Sequence, residues 1–436
     1  MKASESVKNY ASERRMYTNY AARAIKKMCK EVGPRLTGTE AELEAQNRMA
    51  EDLRESCDEV RMEAFTLHPR AFMGWVQLAV VSGLLGVLLL FAAHFLPRYL
   101  TAYIDPTLLT YILLGVGVGI MLLCLFFVIT EFLFYKQTLD PFAKKATSHN
   151  VIGVRKAAGE TKRRIIFSGH ADSAMEWQFT YWGGPKLLLP VIIFGLLGLV
   201  LTTGALITAL VFQIRGIAPE QSRVVWILSI VCACFVPVFL LNLLFYNPKR
   251  PVEGANDNLT GCYCSMAVPR FLNDHDIRFE NTEVMVVCTG AEEAGLRGAK
   301  AFCKAHAKEI LDEKDVETVF IGLDTVRDFD YMAVYHKDMT GTVRNGKKAS
   351  ALLAAGAKIA GYDLPYKTVS FGSSDAAAIT QGGLEATCFA AMDPAPARYY
   401  HTRLDTWENL DMKTLEAGVD ICLETLFLFD EKGFDF

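Results

Sequence analysis

The stretch Arg164-Ile-Ile-Phe-Ser-Gly-His170-Ala-Asp172 frames the reading of the whole chain. Its apolar run has the length of a buried strand, and it passes straight into a His-x-Asp. In an open α/β sheet, ligands bind outside the carboxyl ends of the strands, so polar residues placed there are poised for chemistry. Two other segments have the same form. Glu283-Val-Met-Val-Val-Cys-Thr-Gly-Ala-Glu292-Glu293 ends in adjacent carboxylates, and Thr318-Val-Phe-Ile-Gly-Leu-Asp324 ends in a lone aspartate. Buried carboxylates side by side repel, and they need a cation or a raised pKa.

Singly, each motif has an ordinary explanation. A His and an Asp two apart can form a local hydrogen bond. Glu253-Gly-Ala-Asn-Asp257-Asn-Leu-Thr-Gly261 reads as a turn into a helix that Asp257 would cap, and Arg398-Tyr-Tyr-His401-Thr as a loop. Jointly, however, three strands deliver a histidine, a carboxylate pair and an aspartate to one edge of one sheet. Two histidines with three carboxylates form a mixed nitrogen and oxygen set suited to zinc, with cobalt or manganese as alternatives.

The surrounding pattern alternates. Strands are predicted over Glu59–Leu67, Arg164–Ser168, Glu283–Thr289, Thr318–Leu323 and Ala386–Met392, and helices over Ala41–Glu55, Leu296–Leu311 and Lys348–Ala360. This predicts an α/β domain with a central, mostly parallel mixed sheet flanked by helices.

The chain has 436 residues, 51% of them hydrophobic, which is too apolar for an ordinary soluble enzyme. Four runs are long enough to cross a bilayer core of roughly 30 Å: Gly74–Leu96, Leu108–Tyr135, Leu187–Phe212 and Val224–Tyr246. Their only charged side chain is Glu131 and their only histidine His94, both near an end where headgroups and water are expected. Short connections pair the runs into hairpins over 74–135 and 187–247, so 1–73, 136–186 and 248–436 are expected to form one discontinuous domain on one side of the membrane. The second hairpin falls between two candidate ligands. Asn247–Asn256 reaches at most about 36 Å, so the site is expected close to the bilayer and suited to apolar or lipidated peptides.

A net charge of −4 without a basic stripe argues against nucleic acid as a partner. Eleven cysteines without a CxxC pair or regular spacing argue against a disulfide framework. The first 30 residues lack the apolar core of a secretory signal, which predicts a cytoplasmic domain. Basic residues flanking the spans are scarcely denser on one side than on the other, so they leave the sidedness open. Gly115-x-x-x-Gly119 permits close helix packing and leaves a homo-oligomer open.

The ordered set His170-x-Asp172, Gly-Ala-Asn-Asp257-Asn, Glu292-Glu293, Asp324 and Tyr400-His401-Thr resembles the M28 family of co-catalytic zinc peptidases, as does Val32-Gly-Pro-Arg-Leu-Thr-Gly-Thr-Glu40 upstream. The resemblance implies a di-zinc metallopeptidase, an aminopeptidase first of all, acting on peptides. It implies that His170, Asp257 and Asp324 hold one zinc, that Asp257, Glu293 and His401 hold the other, and that Asp257 bridges them. By the same resemblance Glu292 is the general base, Asp172 the carboxylate behind His170, and Tyr400 a stabiliser of the carbonyl oxygen. The chain departs from the family after Ser374-Asp375, where Ala376 stands in place of a histidine or another polar residue. Two rival readings are a catalytically silent membrane subunit, which would be expected to have lost ligands, and a glutaminyl-cyclase-like enzyme, which shares the fold.

Overall fold

The computed structural model describes residues 2–395 and 397–436, and the chain divides into two compact units. The first comprises Met1–Pro69, Lys144–Tyr181 and Asn247–Phe436. Its strands are β1 (Glu59–Leu67), β2 (Ala146–Arg155), β3 (Arg163–His170), β4 (Met175–Trp177), β5 (Tyr246–Pro251), β6 (Thr282–Thr289), β7 (Glu317–Val326), β8 (Met332–Asp338), β9 (Val343–Arg344), β10 (Tyr366–Thr368) and β11 (Ala386–Ala391). The main sheet runs β1-β2-β6-β3-β7-β11-β8-β10 with β9 on β8, and β4 and β5 form a separate ribbon. β3 lies between β6 and β7 and is parallel to both, and β11 is parallel to β7. The β1–β2, β2–β6 and β8–β11 pairs are antiparallel, which makes the sheet mixed. Ile165, Ile166 and Phe167 are fully buried, as expected of a central parallel strand covered on both faces.

The helix Thr260–Asp274 positions the site. A Cβ on Gly169 of β3 would stand 2.4 Å from the Cys262 amide nitrogen, and one on Gly261 would stand 2.5 Å from the Leu323 carbonyl of β7. The helix backbone therefore lies directly on the strand backbones, and the turn before it, residues 254–259, falls over the strands' carboxyl ends. Asp257 does not cap this helix. Asn258 Oδ1 accepts from the Gly261 N–H at 3.0 Å in the first turn, while Asp257 faces His170 and His401. Ser374 does not cap with its side chain either, because its hydroxyl donates to Asp338 at 2.6 Å. The helix expected over Leu296–Leu311 passes through a π-helical turn at Cys303–Ala307, between Arg297–Phe302 and Lys308–Asp312.

The second unit comprises Arg70–Ala143 and Trp182–Tyr246. Four helices in it are long and apolar enough to cross a membrane: Gly74–Tyr99, Pro106–Leu133, Pro185–Ile214 and Arg223–Asn242. The last is interrupted between Ala233 and Val236, just before Pro237, which has no N–H for the helical ladder. Glu131 lies two residues from the end of the helix Pro106–Leu133. It is fully buried in a π-helical turn, and its Oε1 accepts from the Thr138 hydroxyl and the Leu139 N–H, both at 2.7 Å. Cβ atoms at Gly83 and Gly198 would meet the Phe239 ring at 2.9 Å, so these glycines make room for that ring. At Gly115 and Gly119 a Cβ would meet nothing within 4 Å.

Gly169→Ala should be among the most damaging single-methyl additions in the first unit. The new group meets backbone rather than a movable side chain, and a cost of about 3 kcal/mol is expected. Thermal unfolding of the metal-free protein in detergent, compared with that of a substitution at the open Gly204, checks this.

Candidate metal centre

His170 is the last residue of β3, at the centre of the sheet, and Asp324 lies in the neighbouring β7. Glu292 and Glu293 follow β6 by a short turn, Asp257 sits before the helix Thr260–Asp274, and His401 is on a loop near the carboxyl end. These chain segments converge. Ligand-type atoms of His170, Asp257 and Asp324 lie within 4.8 Å of one another, and so do those of Asp257, Glu293 and His401. A further such group is His170 with Glu292 and Glu293.

Asp257 stands between the two imidazoles. Its Oδ1 is 3.1 Å from His170 Nε2, and its Oδ2 is 3.0 Å from His401 Nε2. Glu293 Oε1 is 3.1 Å from the same His401 nitrogen, and Glu292 Oε2 is 3.8 Å from His170 Nε2. Asp257 Oδ2 and Glu293 Oε1 are buried yet make no hydrogen bond among the described residues. Close polar atoms that fail to align as hydrogen bonds fit ligands arranged around a common centre. A tetrahedral zinc with bonds of about 2.0–2.2 Å places its ligand atoms roughly 3.3–3.6 Å apart. The residues thus fit a pair of divalent cations sharing Asp257.

The electrostatics point the same way. Burial opposes ionisation of Asp257, but His170 and His401 outweigh it and hold the carboxyl below its ordinary range. Burial favours a neutral His401, yet Glu293 and Asp257 push that ring up to about 10. Burial raises Asp324 to about 7, with Asp257 adding to the effect, and it raises Glu292 well above the usual carboxylate range, with Glu293, Asp375 and Asp324 adding. Acids packed this closely keep protons until a cation replaces them.

The supports are more extensive than the motifs suggest. Asp172 approaches His170 Nδ1 only at 3.5 Å. Its two oxygens accept instead from the Glu292 and Glu293 amides at 3.0 and 3.1 Å and from the Thr37 hydroxyl at 2.7 Å, which fixes the carboxylate turn. Asp405, which sequence reasoning missed, is fully buried and accepts from Asn256 N–H, the Asn256 side chain and Asp257 N–H at 2.7, 2.8 and 3.1 Å. Its only sequence signal is an acid four residues after His401 in an otherwise short loop. Arg35 was also missed. It is fully buried, and its guanidinium donates to the carbonyls of Ala171, Glu253 and Gly254, tying the His170 loop to the Asp257 turn. Ala291, Thr325 and His401 have φ of 56°, 49° and 53°. Left-handed backbone is rare for such residues, and here it recurs beside Glu292, beside Asp324 and at His401 itself. Tyr400 stacks on His401 with ring centroids 4.0 Å apart. Asp375 accepts from Thr289 at 2.5 Å, and burial pushes it up to about 6.

Residues 242–426 match Peptidase family M28. The matched stretch is somewhat less than half of the chain and includes Asp257, Glu292, Glu293, Asp324 and His401. The fold agrees with that match. A zinc aminopeptidase from Bacillus subtilis is similar with a TM-score of 0.52 at 14% identity, covering 94% of each chain. A Zn-dependent exopeptidase from Parabacteroides distasonis gives 0.53 at 13% identity, covering 94% of this chain and 97% of that one. A glutaminyl cyclase from Bacteroides thetaiotaomicron gives 0.52 at 13% identity over the same shares. No curated protein sequence matches. The M28-like domain therefore carries a fold that hosts both peptidases and cyclases, and its chemistry must be argued from the site.

The protonation pattern generates a test. Metal ligands must be deprotonated, so zinc entering this cluster near neutral pH must displace protons held by His401 and by the raised carboxyls. Affinity should therefore rise between about pH 6 and pH 9, with at least about one proton released per ion. Calorimetric titration of the apo-protein in buffers of different ionisation heat measures both quantities.

Proposed function

We propose that the chain is a membrane-embedded di-zinc aminopeptidase, in which His170, Asp257 and Asp324 hold one ion and Asp257, Glu293 and His401 hold the other. The observation that carries this reading is Asp257, with one oxygen toward each imidazole and each imidazole beside a further carboxylate. Bound zinc would supply a polarising centre for the scissile carbonyl and a water acidic enough to ionise near neutral pH. The chain's own residues do the rest. Glu292 accepts the water's proton and passes it to the leaving amine. Burial, and after it the acids crowded around Glu292, raise its pKa, and bound cations would offset both and favour the ionised state a base requires. Burial and the surrounding carboxylates raise the Tyr400 phenol well above its ordinary range, so it remains a donor for the developing oxyanion. The second reading, a glutaminyl-cyclase-like transfer, is favoured by the cyclases among the similar folds. It would form a cyclised amino terminus, whereas the peptidase forms a free amine.

Glu292→Gln should lower turnover by about 10²–10⁴-fold while leaving the zinc content unchanged. Aminoacyl reporter substrates with metal analysis of the purified protein measure both, and equal activity in the two proteins refutes the assigned base. The proposed substrate is an apolar or lipidated peptide at the bilayer surface, because few residues separate the second hairpin from Asp257. An enzyme in liposomes should therefore cleave an acyl-tailed peptide faster than its unmodified match.

We place the catalytic domain on the cytoplasmic side. A cysteine introduced at the exposed Lys432 should resist an impermeant thiol reagent on intact cells and react after permeabilisation. Labelling of intact cells would reverse the orientation.

A further inference from the structure

His401 lacks the support that usually orients a metal-binding histidine. Such rings donate their second nitrogen to a carboxylate, a carbonyl or water, which fixes both tautomer and direction. His401 Nδ1 is buried and has no hydrogen-bond partner among the described residues, whereas His170 Nδ1 faces the Asp172 carbonyl at 3.3 Å. His401 also sits on a loop with left-handed backbone rather than at a strand end. Something else must aim the ring.

The structure supplies β4. The Trp177 N–H donates to the His401 carbonyl at 2.7 Å, and the Trp177 ring meets the imidazole edge-on with centroids 4.5 Å apart. One residue earlier, Glu176 is 1% exposed and receives the Arg403 guanidinium as a fork, Nε to Oε1 at 2.6 Å and Nη2 to Oε2 at 2.7 Å. Arg403 N–H approaches the same carboxylate at 3.4 Å, and its guanidinium lies over the Tyr181 ring at 4.1 Å. Arg250 of β5 adds a second cation at 3.7 Å. Two planar groups locked in a bidentate pair leave the loop little freedom to turn.

We propose that Glu176, through Arg403, is a positioning residue for His401, doing from the backbone side what a partner at Nδ1 does for other metal-binding histidines. The inference rests on the di-zinc reading. Its particular interest is that β4 and β5 are the segments through which the chain leaves for, and returns from, the second apolar hairpin, so the strand that aims a ligand is also the root of a membrane segment.

The test is chelator competition with ion counting on the purified full chain in detergent, for the wild type, Glu176→Gln and Arg403→Lys. Glu176→Gln should hold one of two zinc ions about tenfold or more less tightly, the range found for partners behind metal ligands, while the other ion and the unfolding temperature of the apo-protein stay unchanged. Arg403→Lys keeps the charge without the fork and should fall between, and it decides the matter if the glutamine variant does not fold. Both ions held as tightly as in the wild type would overturn the proposal, and so would both loosened together, since that reports general damage. A wild type that takes up no zinc removes the di-zinc reading and this inference with it. A wild type that binds zinc normally while Glu176→Gln is indistinguishable from it removes this inference alone.

Discussion

The first unit is organised around a charge problem. Asp257, Asp324, Glu292 and Glu293 converge within a few ångströms of two buried imidazoles, and burial strengthens every repulsion among the acids. Two protonated histidines offset part of it, which is why Asp257 alone of the four is held below its ordinary range. The remainder needs protons or external cations. A fold that stabilised itself would not gather these groups, because partly satisfied buried polar clusters destabilise. The arrangement makes physical sense as a site held open for divalent ions.

Holding it open requires that the ligands be fixed by something other than the ions. Asp172 fixes the Glu292–Glu293 turn, Asp405 fixes Asn256 and Asp257, and Arg35 joins the loops that carry His170 and Asp257. Each uses backbone amides or carbonyls, so each sets the path of the chain and leaves the ligand side chains to the metal. The left-handed residues are held by neighbouring bonds: Ala291 N–H donates to Glu42 Oε1, Thr325 N–H to Asn258 Oδ1, and the His401 carbonyl accepts from Trp177 N–H.

What could be read from the sequence follows from this division of labour. The central strands were legible because burial on both faces leaves near-continuous apolar runs ending in polar residues, as in Ile165–His170 and Val284–Thr289. The strand β2 was not, since it opens on Ala-Thr-Ser-His-Asn, which carries neither an apolar run nor strict alternation. The helix Tyr10–Glu31 was hidden by its charged outer face. The ligands could be picked out because they end strands or stand in dense motifs. Asp405 and Arg35 act through backbone atoms of residues far away in sequence, and no local pattern marks such a role. Likewise, the motif around Asp257 alone could not separate a helix cap from a ligand, and only the tertiary approach of His170 and His401 to its carboxylate distinguishes the two.

Both apolar hairpins enter the first unit at places where the chain ends were already side by side. Leu67 of β1 pairs with Ala146 of β2, and the first hairpin leaves and returns across that antiparallel pair. The second does so across the β4–β5 ribbon, where Val252 N–H also donates to the Ala174 carbonyl at 3.0 Å. An insertion between ends that are already close adds little closure entropy to the host, so the sheet can keep its register whatever the inserted segment does. The two roots nevertheless differ in consequence. β1 is the edge of the sheet, three strands from β3, and β2 is two strands from it, whereas β4 touches His401 directly. Of the two apolar hairpins, the second is therefore the one rooted in a strand that contacts His401, whereas the first is rooted at the edge of the sheet.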